Sequence, residues 1–474
     1  MNTLPRLKPR CFYDIVVEVA LVRPGPIQGH AVNPYLRRRA GREPVTYLHP
    51  LLEPVLRQTL GVPLFQEQLM RIATDAAGLS GARADQLRRA MGAKRSPERM
   101  EALKGELMAG MEERGIDTLT RERIFDQLKA FADFGFPESH SFSFAHIVYA
   151  SAWLKVHAPE HFYAAILSSQ PMGFYSSATL VQDARRHGVT VLGPSVNDSF
   201  LDTGVQCAPG VPGEQEYREG RPDPLPSRQV IPLDVDEELV VRIGLSSVRG
   251  LGRAAERIVR VRETGAFSSQ ADLANRAHLS ASDMECLAMA GALECLGVGR
   301  REGTWAAGAL AAPTARQGEW QPFLPGTEVG TLVPDLPPLT RTEQMRADIE
   351  ATGLTPGEHP FSYLRGDLSP GVLRAAELGA HLDGRIVDVA GLVTHRQRPH
   401  TGGGVTFLSL EDESGFVNVS VAVGTWNKFR RIGLESGALL VRGTLEWGDG
   451  AVNVRAFRLA PVRLPIQVRS RDFR

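Results

Sequence analysis

The chain has 474 residues, room for about three domains, and at 43% hydrophobic and 23% charged it has the composition of an ordinary globular protein. Lys+Arg and Asp+Glu balance at 54 each, which excludes a uniformly basic nucleic-acid coat and leaves any polyanion to be met by local patches.

Four cysteines (Cys11, Cys207, Cys286 and Cys295) form no C-x-x-C pair, so neither a zinc site nor a disulfide framework is indicated, and a reducing cytosol is the simplest setting. No apolar run reaches the roughly 20 residues of a bilayer span and no signal peptide opens the chain, so a cytoplasmic location and no membrane contact are expected. Residues 1 to about 170 read as mostly helical. Phe12–Leu21 has helical spacing with almost nothing before it to pack against, which suggests that the chain begins inside a domain. Arg23-Pro-Gly-Pro-Ile-Gln-Gly29 must break that helix and presents Arg23 on a fixed loop, either as a ligand contact or as a plain connector. Tyr35-Leu-Arg-Arg-Arg39 is a first basic cluster. Helices are predicted over 50–60 and from about Pro63, and a basic helix over 82–91 carries Arg88 and Arg89, with Lys94 and Arg95 just beyond its glycine stop. Such a cluster suits phosphate oxygens; a solvated helix face is the plainer reading.

Further helices are predicted over 96–114 and 118–131. Phe134-Gly-Phe-Pro-Glu-Ser-His-Ser-Phe-Ser-Phe-Ala145 is expected as a loop and helix start, with Ser139 or Ser141 as N-cap and His140 as a donor to a base or sugar. Residues 203–232 read as a loop insertion, and Asp234-Val-Asp236 as a solvated acidic run rather than a two-metal pair. Then Ile243 to Ile258 carries a helix-hairpin-helix signature. Its Gly250-Leu251-Gly252 turn lets the backbone approach a phosphate, with Arg249 and Arg253 beside it. Ser282–Leu296 suggests a further small helix pair. Residues 301–378 are expected as a linker, in which Gln317–Phe323 (QGEWQPF) is either a clamp-binding peptide or plain linker. From about 379 to 462, five short alternating strands with a helix between the third and fourth follow the order of an OB-fold, before a tail at 463–474. Arg396, Arg398, Trp426 and Lys428 would supply its charge and stacking for single-stranded nucleic acid.

The series LVRPGPIQG, VPLFQEQLMRIA, LRRAMGAKR, FGFPESHSFSFA and YASAWLKVHAP resembles the fingers of the bacterial DNA polymerase III alpha-subunit (DnaE-type) family. SQPMGFYS and the OB-fold segment from Val389 resemble its error-prone branch. The resemblance implies a multidomain chain: mainly α-helical fingers over 1–170, a helix-hairpin-helix region over 171–300, and a small all-β OB-fold barrel. It implies a DNA-directed DNA polymerase of translesion synthesis, with Arg88 and Arg89, then Arg23, Lys94 and His140, toward the triphosphate of an incoming dNTP. The hairpin would meet primer–template duplex and the OB-fold single-stranded DNA. A sliding clamp, mutagenesis accessory proteins or an upstream palm-containing polypeptide are the implied partners. The complete polymerase would use Mg²⁺. Family members carry a PHP domain and a palm with the catalytic aspartates ahead of the fingers, and no residue here matches that palm motif. The expectation is therefore a C-terminal portion without a catalytic carboxylate or bound metal of its own, from a truncated gene, a misplaced start codon or a split enzyme. A non-catalytic DNA-binding protein derived from the polymerase is the alternative.

Overall fold

The structure, a computed structural model, describes residues 4–22, 32–90, 96–132, 136–208, 239–311, 334–399, 403–448, 451–464 and 471–473. The chain divides into two compact units, 1–153 with 447–451, and 154–446 with 452–474.

The first unit holds α1 (Leu4–Leu7), α2 (Phe12–Leu21), α3 (Val32–Arg39), α4 (Glu53–Leu56), α5 (Gln66–Asp75), α6 (Gly81–Ala90), α7 (Ser96–Glu113), α8 (Thr118–Ala132) and most of α9 (Glu138–His157). The apolar face of α2 finds its partner surface within this unit. Val16, Val17, Ala20 and Leu21 bury against Leu7, Tyr35, Leu64 and Phe65. A second core joins Leu69 and Ile72 of α5 to Leu87 of α6, Leu107 of α7 and Phe125 of α8. The predicted helix over 50–60 is broken into a 3₁₀ turn, α4 and a second 3₁₀ turn. The start of α5 is fixed by a buried amide. Gln68 Oε1 accepts the Leu64 N–H at 2.8 Å, while its Nε2 donates to Thr59 Oγ1 at 2.8 Å and to the Val55 carbonyl at 3.2 Å. That side chain satisfies several groups between two helices, each of which would cost about 1–3 kcal/mol if buried unpaired.

The second unit opens with α10 (Pro159–Ser168) and α11 (Ser177–Arg186), whose Tyr163, Leu167, Leu180 and Val181 form a core with a three-stranded sheet. In that sheet β1 (Val191–Leu192) runs parallel and β2 (Gly204–Cys207) antiparallel to β3 (Leu239–Arg242). The break at 153/154 thus sends residues 154–170, expected with the fingers, into the second unit. Strand β2 starts within the expected insertion, while 209–238, with Asp234 and Asp236, lies outside the described residues. Then α12 (Arg253–Arg262), α13 (Gln270–Ala277), α14 (Ala281–Met289) and α15 (Arg300–Leu310) enclose one apolar core. Their caps are legible as serine or glycine before the helix, Ser269 and Ser280 accepting their N3 backbone N–H groups at 3.1 and 3.2 Å.

Residues 334–378, expected as linker, are instead built into the unit; QGEWQPF falls outside the described residues. Helix α16 (Arg341–Thr352) carries a Thr340–Glu343 capping box, and Asp348 takes Arg300 at 2.7 Å. Phe361 and His359 are buried beyond it, and β4 (Val372–Leu373) adds to the barrel edge. Polarity hides this segment: its few apolar anchors sit among prolines, glycines and charges, with no period to expose them.

The barrel itself is β5 (Ile386–Gln397), β6 (Thr406–Asp412), β7 (Gly415–Val421), α17 (Val423–Glu435), β8 (Ala438–Gly448) and β9 (Ala451–Pro461). Strand order β5-β6-β7-β9-β8 with a β5–β8 pairing closes it, as the five-strand OB-fold pattern predicted. A short β10 (Arg471–Phe473), in the expected tail, pairs parallel with β5. Inward Val389, Leu408, Leu410, Val419, Val441 and Val454 form the barrel core.

Candidate nucleic-acid interface

Among the triphosphate candidates, Arg23 and Lys94 lie outside the described residues. Arg88 and Arg89 occupy the last turn of α6. Both reach back to one carboxylate, Asp85, at 2.9 and 2.8 Å. The Arg88 hydrogen bond, together with the Arg89 charge, holds the Asp85 carboxyl below its ordinary range. One carboxylate against two guanidiniums leaves a net positive helix end with solvent-facing N–H donors, which an incoming polyphosphate can engage. Arg83, one turn earlier, is committed elsewhere, forking onto Glu106 through Nε and Nη2.

His140 is on the first turn of α9, not in a loop. That helix starts at Glu138, so Ser139 and Ser141 lie inside it and neither is its N-cap. Ser141 is fully buried, with its hydroxyl unpartnered, and cannot face a base. His140 is exposed between Phe136 and Phe144, ring centroids 5.3 and 4.6 Å away. The helix start is anchored by side chains the sequence did not single out. Glu67 of α5 accepts the Glu138 N–H at 2.8 Å, and the Tyr13 hydroxyl donates to Glu138 at 2.6 Å. Burial, reinforced by Glu138, pushes the Tyr13 phenol well above its ordinary value, so it stays a donor. Helix α5 therefore fixes α9 at its N-terminus and shares a core with α6; among the described residues no bond joins Arg88 or Arg89 to His140.

The hairpin has the geometry its glycines imply. A 3₁₀ turn at Leu245–Ser247 leads into Gly250 at φ +85° and Gly252 at φ +49°, immediately before α12. Leu251 between them is buried, so the turn is pinned while both glycines remain at the surface. A Cβ at Gly250 would meet Cys286 Sγ at 2.9 Å; one at Gly252 would meet nothing within 4 Å, which leaves the α12 N-terminus open to a phosphate. Exposed Arg253 stands at that opening. Arg249, also exposed, is partly engaged: its Nη1 donates to the Ile349 and Glu350 carbonyls at 3.2 and 3.1 Å, closing the C-terminus of α16.

On the barrel, two expected contacts are internal. Trp426 is 4% exposed in the core, so its ring has no free face for a base. Arg396, also buried, spends its guanidinium on the Gly433 and Ser436 carbonyls at 2.7 and 2.6 Å. The alternation that turns Val387, Val389 and Val393 inward would leave Arg396 outward, and a β-bulge between Val393 and His395 reverses it; the helix pattern placed Trp426 inward and was outweighed by residue type. Arg398 and Lys428 are exposed, Lys428 lying over its neighbour Phe429. The outward face of β5–β6–β7 is defined by direct partners: Gln397, Phe407 and Ser420 in one row, His395, Ser409 and Asn418 in the next, Glu411 and Phe416 in a third. The third row is covered. Arg186 of α11 sits 5.2 Å from the Phe416 ring and 3.1 Å from Glu411, which also accepts from Thr179 at 3.1 Å. Burial pushes the Glu411 carboxyl up to about 7 against the pull of Arg186 and Thr179. Phe407, 41% exposed, and Arg455, paired to Ser420 in register, leave the first row open for stacking and charge. Among the described residues no group of three or more His, Cys, Asp or Glu side chains is placed to hold a metal ion. Nor is any helix among them long and apolar enough to cross a membrane.

Residues 1–115 match the family described as bacterial DNA polymerase III alpha subunit finger domain, and 188–303 match a helix-hairpin-helix motif. Fingers, hairpin motif and closed five-strand barrel follow one another in this order, and the chain is similar to error-prone DNA polymerases along its whole length. Over 478 residues the whole chain is 50% identical to the error-prone DNA polymerase of Mycobacterium tuberculosis (strain ATCC 25618 / H37Rv), covering 40% of it. It is 50% identical over 486 residues to that of Nocardia farcinica, covering 39%, and 47% identical over 478 residues to that of Corynebacterium glutamicum, covering 42%. It spans about two-fifths of the length of the curated relatives it matches.

Proposed function

We propose that the chain is the DNA- and nucleotide-holding part of an error-prone DNA polymerase, acting in the cytoplasm during damage-induced synthesis. The observation that carries this is the open glycine turn at the α12 N-terminus with Arg253 beside it, within a chain half identical to error-prone polymerases along its whole length. Arg88 and Arg89, with Arg23, Lys94 and His140, would meet the phosphates and sugar of an incoming dNTP. The Gly250–Gly252 turn would grip duplex backbone, and the open barrel row with Arg398 and Lys428 would take the single strand. Mg²⁺ belongs to the complete polymerase, where it would polarise the transferred phosphoryl group, while the residues named here would hold and orient.

Fluorescence anisotropy with primed DNA tests the holding role. Affinity should fall steeply between about 50 and 200 mM salt, because displaced counterions dominate such binding. Binding indifferent to salt would refute it. Primer extension with Mg²⁺ tests the second half: this chain alone should bind without incorporating, and incorporation would show that it carries a complete catalytic site.

A further inference from the structure

The strongest unassigned feature lies in the first unit, where α1 and the turn after it face the end of α3 across a cleft of about 780 Å³. Seven of its eleven lining residues are Lys or Arg, and none is acidic or aromatic. The cations divide into two kinds. Arg39 and Arg38 form the floor and are structural. Arg39 donates to the Leu7 carbonyl at 2.8 Å and to Asp14 at 2.7 Å; Arg38 donates to the Leu60 carbonyl at 2.7 Å. The Arg39 bonds fasten residues 4–10 to α3, and the Arg38 bond fastens α3 to Leu60. Arg6, Lys8 and Arg10 form the rim and reach solvent, with Arg37 opposite, shared with Glu43 at 2.9 Å. Lys8 has φ +49° where its N–H closes α1 onto the Leu4 carbonyl at 3.0 Å. Glycine is the ordinary residue at such a left-handed helix end, so a lysine here keeps a cation on the rim against backbone preference.

We propose that this cleft docks the phosphodiester backbone of DNA without reading its bases. The ligand chemistry is phosphate oxyanion, since the lining side chains offer donors alone. A free nucleotide would also need its base held, by an aromatic ring to stack on or an acceptor to bond, and the lining side chains supply neither. A polynucleotide needs neither, because backbone contacts position without specifying. The inference rests on the reading of the chain as the DNA-holding part of a polymerase, and adds to it a contact remote in sequence from hairpin and barrel.

The test is the triple variant Arg6→Gln, Lys8→Gln, Arg10→Gln in the full chain, with anisotropy on primed DNA over a salt series. These substitutions leave the Arg38 and Arg39 bonds intact, so the circular dichroism should not change. Each phosphate contact removed should flatten the slope of log affinity against log salt by about 0.9, and the triple variant by about two to three. If the triple variant fails to fold, each single variant should still flatten it by about 0.9. An unchanged slope in variants of a wild-type chain that binds with normal salt dependence overturns the cleft alone. A wild-type chain that binds no primed DNA overturns the DNA-holding reading beneath it. A competition arm uses inorganic tripolyphosphate. Poor competition at millimolar concentration supports a backbone site; micromolar competition that the triple variant abolishes assigns the cleft to free polyphosphate and overturns the proposal.

Discussion

Arg186→Met isolates the contact by which α11 covers the barrel. Arg186 and Glu411 are both largely buried, with both Nη atoms of Arg186 3.1 Å from Glu411 Oε1. Glu411 has its pKa raised from 4.5 to about 7, chiefly by burial. A carboxyl whose folded pKa is raised favours the fold while protonated; its contribution is whole below its unfolded value of 4.5 and is lost as pH rises through about 7. Above that pH the buried carboxylate depends on Arg186. His359, the buried imidazole nearby, stays neutral throughout, its pKa pushed down to about 3 by burial and by Arg186. At about pH 5 the methionine variant should therefore lose little more than a hydrogen bond, roughly 1–1.5 kcal/mol. At about pH 8 it strands a buried charge and should lose roughly 3–5 kcal/mol. Hydrogen exchange of β6 and β7 peptides at the two pH values reads the difference locally. Adding Glu411→Gln should flatten it to the low-pH value at both. Equal losses at both pH values, or a loss under about 0.5 kcal/mol, would refute the assignment of Glu411 as a charge held by Arg186.

Gly250→Ala should destabilise the hairpin by about 1–3 kcal/mol, since φ +85° and the Cys286 contact at 2.9 Å both oppose a Cβ; chemical denaturation checks it, and an unchanged midpoint would mean the turn relaxes freely. Arg88→Ala and Arg89→Ala should each weaken dNTP binding about 10- to 100-fold without changing the fold, read by calorimetry, with equal affinity as the refuting result. Asp14→Asn should cost about 2–3 kcal/mol near neutrality, because the carboxylate takes the Arg10 N–H at 2.6 Å and the Arg39 fork. Burial raises that carboxyl, but those bonds outweigh it and hold its pKa below the ordinary value, so the wild type should lose this advantage as acid titrates Asp14 while the variant shows no such step. Phe407→Ala should weaken single-strand binding by about 1–3 kcal/mol; oligothymidylate titration that leaves affinity unchanged would remove the open barrel row from the interface.

The helices and strands were legible because their signals are local. Ser269 and Ser280 cap as serine does, and the period-2 alternation of β6 and β7 gave the barrel its inner face. The 334–378 segment was not legible, since its anchors Met345, Leu354 and Phe361 bury by long-range contact without local periodicity. The site was half legible for a related reason. Residue type marked Arg249, Arg253, Arg396 and Arg398 alike as nucleic-acid contacts, yet a guanidinium serves a row of backbone carbonyls as well as it serves an oxyanion. Arg396 is spent that way, on the Gly433 and Ser436 carbonyls at the end of α17, and Arg249 gives its Nη1 to the end of α16. Arg253 and Arg398, equally basic in sequence, are left in water.

That division matters more here than in a basic DNA-binding protein. With Lys+Arg and Asp+Glu equal at 54, the chain has no net charge to draw DNA from a distance. Beyond about one Debye length, roughly 8–10 Å at working salt, its charges cancel for an approaching helix. Long-range steering is then weak, and association should proceed at the unsteered rate of about 10⁵–10⁶ M⁻¹s⁻¹. Salt dependence must arise after encounter, in how long the complex lasts, as phosphates settle onto the few cations that the fold has not already paired. The glycine turn before α12 offers its N–H groups and exposed Arg253, the barrel offers exposed Arg398 and Lys428, and the α6 end sets two guanidiniums against the single carboxylate of Asp85. Each cation kept out of internal ion pairs is therefore worth more to this chain's hold on DNA than its total charge would suggest.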